Sequence, residues 1–304
     1  MQLIVPFAAP LADAGRATLR TLALPALRAW LAGAAVVERD DGDAWSFSPP
    51  HERALARSLG WAAGDGRLPW AAWSAARDGI VPGDLAWGLL TPAHWHLGTD
   101  QVSLIDPAGL MLDEAASRAL LAAVQPLFTS EGFVVHWGAP QRWYLAHESL
   151  SGLRTASLDR VIGRNVDAWL GSDPAARLLR RLQNEVQMLL HEHPLNTGRV
   201  ARGLLPVNSF WLSGCGSAQP GTTPEPTVDD RLRAGALAED WAGWAKAWQT
   251  LDEGPIAALR GAGEAARLTL AGERSAVTLR PAGGWRRWRA FVHRPAPLPL
   301  LEGL

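Results

Sequence analysis

The chain is nearly devoid of lysine and cysteine. Lys246 is its only lysine and Cys215 its only cysteine in 304 residues. One thiol excludes an intrachain disulfide framework. No apolar run reaches the ~18–20 residues that span a bilayer, so no membrane-embedded segment is expected. The formal net charge is −1, which leaves no basic excess to neutralise a phosphate backbone and argues against nucleic-acid binding. The opening MQLIVPF has no positive charge before its short apolar run, so no signal peptide is read and a cytoplasmic location is the default.

What the chain does have is arginine, alanine, leucine, glycine, proline and 16 tryptophans. The tryptophans are scattered from Trp30 to Trp288 rather than grouped as a base-stacking platform. They are expected mainly as core or half-buried packing residues. At 48% hydrophobic, the chain can bury one large core or two smaller ones.

Periodicity and breakers give a mixed order of elements. Residues 2–7 read as a buried strand. Arg16–Ala32 reads as helix interrupted near Pro25, with Gly33 beyond its end. Residues 39–48 are turn-like, and helical pieces follow near 51–63 and 68–77. Residues 84–106 suggest two strands, with a turn near Pro92 or Gly98-Thr99. An amphipathic helix is expected over 111–128, opened by Asp113 and Glu114. A hairpin follows over 132–137 and 142–146. The clearest helix spans about 174–192, with Asp173 as N-cap, Pro174 at its first position and Pro194 at its end. Residues 207–212 read as a buried strand stopped by Ser213-Gly214-Cys215-Gly216. A helix over 229–250 places Trp241, Trp244 and Trp248 on one face. An antiparallel meander closes the chain, with Gly283-Gly284 as a turn. The expected fold class is α/β, with a mostly parallel central sheet flanked by helices and a C-terminal antiparallel β meander. The expected division is an α/β core over 1–216, a Pro/Thr-rich linker over 217–227, and a C-terminal part over 228–304 packed on the core.

The stretch Asn184–Gly216 is the most informative. Asn184, Gln187 and His191 form a polar stripe on a helix. His193, Asn196 and Arg199 follow at the helix end, and Asn208 opens a strand closed by Gly214 and Gly216. Polar groups beside a helix end and a buried strand end are where α/β folds place ligands. The candidate ligand-binding residues are therefore Asn184, His191, His193, Asn196, Arg199 and Asn208, facing an anionic small molecule or a protein partner. His94, His96 and Asp100 make an alternative metal set, because two imidazoles and a carboxylate can hold zinc. Arg142, Arg154, Arg160 and Arg164 could clamp an anion but read more simply as surface charge. Cys215 reads as a small residue in a tight turn, and Arg286–Arg289 (RRWR) as an edge-strand face.

The run His193-Pro194-Leu195-Asn196, Arg199, Gly203, Pro206-Val207-Asn208 and Gly214-Cys215-Gly216 resembles the archaeal-type cofactor-independent phosphoglycerate mutases of the alkaline phosphatase superfamily. The longer run NEVQMLLHEHPLN at 184–196 and LLPVNSFWLSGCG at 204–216, together with TPAHWHLGTDQVSL at 91–104 and SLDRVIGR at 157–164, is similar to the RpfE-type regulatory protein family of proteobacteria. The resemblance implies an alkaline phosphatase-like fold. Enzymes of that superfamily hold two metal ions with Asp and His ligands, the first an Asp just after strand one. Here that place reads Phe7-Ala8-Ala9-Pro10, and the only histidine after His193 is His293. Two-metal phosphoryl transfer depends on those charges. The expectation is a non-catalytic or strongly diverged mutase-like protein with a binding or regulatory role and no cofactor. The rival readings are a phosphomutase or phosphatase with an altered Mn or Zn set, and a structural or interaction protein.

Overall fold

A computed structural model describes residues 1–171, 174–222, 224–283 and 296–304, without the side chains of 174 and 175. These form two compact units, one from 1–62 with 221–304 and the other from 63–220. In chain order the strands are β1 (Gln2–Val5), β2 (Ala34–Asp40), β3 (Trp87–Ala93), β4 (Trp95–Leu97), β5 (Val102–Leu104), β6 (Val134–Ala139), β7 (Arg142–Ala146), β8 (Ser209–Gly216), β9 (Thr227–Val228), β10 (Arg267–Ala271) and β11 (Ala276–Pro281).

The first unit is built on a sheet of order β2-β11-β10-β1-β9. β1 runs parallel to β10 and to β9. β11 runs antiparallel to both β10 and β2. The units thus group by strand pairing rather than by position along the chain. Leu3, Val5, Leu268, Leu270, Val277 and Leu279 pack with Leu27, Trp30, Trp244 and Trp248 into its core. The helix expected over 16–32 is two helices, Asp13–Thr21 and Pro25–Leu31. Pro25 stands at the start of the second, where its missing N–H costs nothing. The helix expected over 229–250 is also split, into Arg233–Leu237 and Trp241–Leu251. Between them Glu239 adopts φ 53°, and the Asp240 carboxylate accepts from Gly243 N at 2.9 Å, restarting the helix as an N-cap. Trp244 and Trp248 of the expected face are fully buried, and Trp244 Nε1 donates to Phe7 O at 3.0 Å.

The second unit holds the sheet β6-β7-β3-β8 and the separate hairpin β4-β5. All of its described pairings between named strands are antiparallel. The mostly parallel sheet expected from the sequence is thus replaced by a mixed one in the first unit and antiparallel ones in the second. Short turns explain part of this. Residues 140–141 join β6 to β7 and 272–275 join β10 to β11, too short for a parallel crossover. The second hairpin supplies two strands of the expected meander. Its third, with Arg286–Arg289 and His293, lies outside the described residues, as do Gly284 of the expected turn and the expected N-cap Asp173. The core of this unit joins Leu90, Leu120, Phe128, Trp143, Val186 and Phe210.

Two further differences bear on the site. Residues 84–106 give three strands rather than two, with Pro92 inside β3 and the turn at 98–101. β8 does not stop at Ser213 but runs through to Gly216. The register shifts where Trp87 faces Gly216 and Leu89 faces Ser213. The glycine turn is therefore a bulge, and Gly214 supplies its φ of 63°. Of the described tryptophans only Trp45 is exposed. Among the described residues no helix is long and apolar enough to cross a membrane.

Candidate functional site

Helix Pro174–His191 ends two residues before His193, which precedes a second helix, Pro194–Ala201. His193 is the N-cap of that helix, its Nδ1 accepting from Leu195 N at 3.3 Å. Gly203 closes it with φ 72°, the left-handed turn that ends helices at low cost with glycine. The chain then passes through Leu204–Asn208 into β8. This connector is neither helix nor strand, so its backbone groups need partners from outside it.

Backbone supplies the partners of Leu204 N, which donates to Arg199 O at 3.0 Å, and of Asn208 N, which donates to Ala93 O at 3.1 Å; side chains serve the residues between. Arg199 Nε donates to Leu205 O at 2.9 Å. His94 Nδ1 lies 2.9 Å from Pro206 O. Asn196 Nδ2 donates to Val207 O at 2.7 Å, and its Oδ1 accepts from Val207 N at 2.9 Å. The same Nδ2 donates to Leu190 O at 2.8 Å, tying the connector to the end of the preceding helix. Asn208 takes Trp95 N on its Oδ1 at 2.7 Å and gives its Nδ2 to Trp95 O at 2.9 Å. Arg199 Nη2 also donates to Leu110 O. Asn196 and Arg199 are 3% and 2% exposed. The structure thus brings Asn196, Arg199, Asn208 and His94 together around one connector, as a latch whose amide and guanidinium groups face backbone.

Burial lowers the pKa of the Arg199 guanidinium, and the charge of Arg202 adds to that while Asp113 opposes it. It remains a cation, because arginine starts so high. Asn184 and His191 are exposed on the helix surface and do not join the latch. The polar residues of that helix which do turn inward are Gln183, donating to Phe210 O at 2.9 Å, and Gln187, donating to Ser209 Oγ at 3.2 Å. Gln183 was missed in the sequence. Its spacing of four from Gln187, beside the apolar Leu182 and Val186, was the available signal.

The remaining candidates separate. The His94 and His96 rings lie 6.5 Å apart, whereas Asp100 is exposed in the β4-β5 turn. Among the described residues no group of three or more His, Cys, Asp or Glu is placed to hold a metal. Arg142 makes a two-pronged bond to Asp78 at 2.9 and 2.7 Å, and Arg154 pairs with Asp65 at 3.0 Å. Arg160 is buried, not surface charge. Cys215 is buried inside β8. Burial pushes its thiol up to about 12, against a smaller opposing pull from Thr155, so it is protonated and unreactive near neutrality.

No family model matches the chain. Over 108 residues it is 27% identical to a probable 2,3-bisphosphoglycerate-independent phosphoglycerate mutase of Geobacter sulfurreducens. The match covers 35% of this chain and 27% of that protein, so the chain spans about a quarter of the length of the curated relative it matches. Among solved structures, the cofactor-independent phosphoglycerate mutase of Thermoplasma acidophilum aligns over 93% of this chain and 90% of its own, with 14% identity and a TM-score of 0.40. A protein of Pyrococcus horikoshii aligns over 94% of this chain and 88% of its own, with 11% identity and a TM-score of 0.48. The chain is a mixed α/β protein with phosphoglycerate mutase-like sequence similarity over part of its length.

Proposed function

We propose that this protein is a strongly diverged, non-catalytic relative of the cofactor-independent phosphoglycerate mutases that acts by binding, in a regulatory role of the RpfE type. The observation that carries this reading is the use made of the family-like residues. Asn196, Arg199 and Asn208 spend their hydrogen-bonding groups on Leu205, Val207 and Trp95. What resembles the mutases is therefore a set of residues that hold a connector in place. Such residues can outlast the loss of a reaction.

The start of the chain supports the same reading. Beyond β1, Phe7 adopts φ 55° and Ala8 and Ala9 are buried. This place carries no carboxylate with which to begin a two-metal centre. Recognition falls to side chains outside the latch. Asn184, Met188 and His191 are exposed along one stripe of helix Pro174–His191, at the i, i+4, i+7 spacing that shares a face, and they would meet a protein partner or an anionic small molecule.

The test is turnover and metal content. Protein purified from Mn- and Zn-supplemented medium is expected to carry no pair of tightly bound ions and to leave 3-phosphoglycerate unchanged in the presence of Mn²⁺. Two stoichiometric ions per chain, or isomerisation above a protein-free blank, would overturn the reading.

A further inference from the structure

His94 and His96 have an asymmetry that points to a ligand. The carbonyl of Pro206 can only accept a hydrogen bond, so the His94 nitrogen 2.9 Å away, Nδ1, must carry the proton. In the neutral ring the proton is then absent from Nε2, which keeps its lone pair. An imidazole that gives one N–H to a backbone carbonyl and presents the other nitrogen is the arrangement metal-binding histidines adopt, because the carbonyl fixes both tautomer and ring orientation. His96 follows two residues later along the same extended run, on the same face. The two ring centres are 6.5 Å apart with planes inclined by 37°.

We propose that His94 and His96 form a binding site for a nitrogen-preferring divalent ion of the zinc class. With zinc–nitrogen bonds of about 2.0–2.1 Å, two imidazoles on one tetrahedral ion have ring centres about 5 Å apart. The gap closes by rotation of the His96 imidazole, which is exposed, while its backbone stays paired with Ser103 in the β4-β5 hairpin. His94 stays fixed by Pro206. Water, or an anionic ligand, completes the coordination sphere. Imidazole nitrogens favour zinc, copper and nickel over hard cations such as magnesium. A metal on Nε2 also makes Nδ1–H a stronger donor, so ion binding tightens the hold on Pro206 and hence on the connector into β8. This site is independent of the proposed binding role. It requires neither mutase ancestry nor the absence of catalysis.

The test is calorimetric titration of the full chain with zinc chloride near pH 7.5, with magnesium chloride as the control. One zinc site per chain and no magnesium binding are expected. Because the His96 imidazole has no hydrogen bond to lose among the described residues, His96→Ala should fold normally and weaken zinc binding by at least on the order of 10–100-fold, the range that already follows loss of an outer-shell partner of a metal ligand. His191→Ala, which removes a member of the other close pair of histidines, should leave zinc affinity unchanged. Saturating zinc should raise the urea midpoint of the unmodified chain and not that of His96→Ala. Undiminished zinc affinity in His96→Ala, loss of it in His191→Ala, or no zinc binding at millimolar concentration each overturns the proposal.

Discussion

Asn196 shows how much one side chain can carry. It satisfies Leu190 O, Val207 O and Val207 N from a buried position. Replacing it by alanine leaves two carbonyls and an amide without these partners, at a cost of about 1–3 kcal/mol for a buried polar group left unpaired. Asn196→Ala is therefore expected to lose about 2–4 kcal/mol in urea unfolding. Asn196→Asp should be worse despite its shape, because it would turn an acceptor toward two carbonyl oxygens. Asn208→Ala gives up only a half-buried pair of bonds to Trp95 and should lose about 1–2 kcal/mol. An Asn196→Ala protein as stable as its parent would show that the connector is held by something other than the latch.

At the scale of elements, β8 and the helices packed on it illustrate what sequence pattern can and cannot reveal. The helix over 114–129 was legible because Asp113 caps it, accepting from Ala116 N at 2.7 Å, and because its apolar spacing is regular. The β6-β7 hairpin was legible for the same kind of local reason. The full extent of β8 was not, since Ser213-Gly214-Cys215-Gly216 has the composition of a turn. Only the register with β3 reveals a bulge. Edge strand β2 was also hidden, because Val36, Val37, Glu38 and Arg39 are all exposed and leave no apolar alternation to read. Asn196, Arg199 and Asn208 stand out in the sequence as candidate ligand-binding residues, yet the partners the structure gives them are backbone atoms, which no side-chain pattern encodes. Gly214 offers the sharpest test at this scale. A Cβ there would lie 2.9 Å from both Ala71 N and Trp70 Cβ, in a left-handed conformation that already disfavours a side chain. Gly214→Ala should lose more than about 2 kcal/mol, whereas Gly109→Ala, with open space around its Cβ position, should change stability little in the same urea titration.

At the scale of the whole molecule, charge is nearly balanced, and each unit contains a carboxylate held well by arginine. In the first unit, burial alone would raise Asp40, but bonds and charge from Arg53 and Arg57 overcome it and hold the carboxyl below its usual value. In the second, the bond from Arg142 lowers Asp78, burial opposes this, and the Tyr144 hydroxyl, 2.6 Å away, lowers it further. Both folded-state values lie below the unfolded ones. The associated stability is therefore fully present above the unfolded value near 4 and is lost as pH falls through the lower folded values. Tyr144 behaves oppositely at the alkaline end. Burial, then the bond to Asp78, raises its phenol, so its contribution persists below the ordinary tyrosine range near 10 and fades as pH climbs above it. The urea midpoint should be flat through neutrality and fall steeply below about pH 4. Tyr144→Phe removes one of the two groups that lower Asp78, so the acid loss should be smaller and should be complete at a higher pH, with its onset near the unfolded value unchanged. Asp78→Asn should lower stability at pH 7 while making the acid limb shallower, because one of the two titrating groups has gone. Acid limbs that superimpose for the parent, Tyr144→Phe and Asp78→Asn would mean that Asp78 does not couple folding to protons.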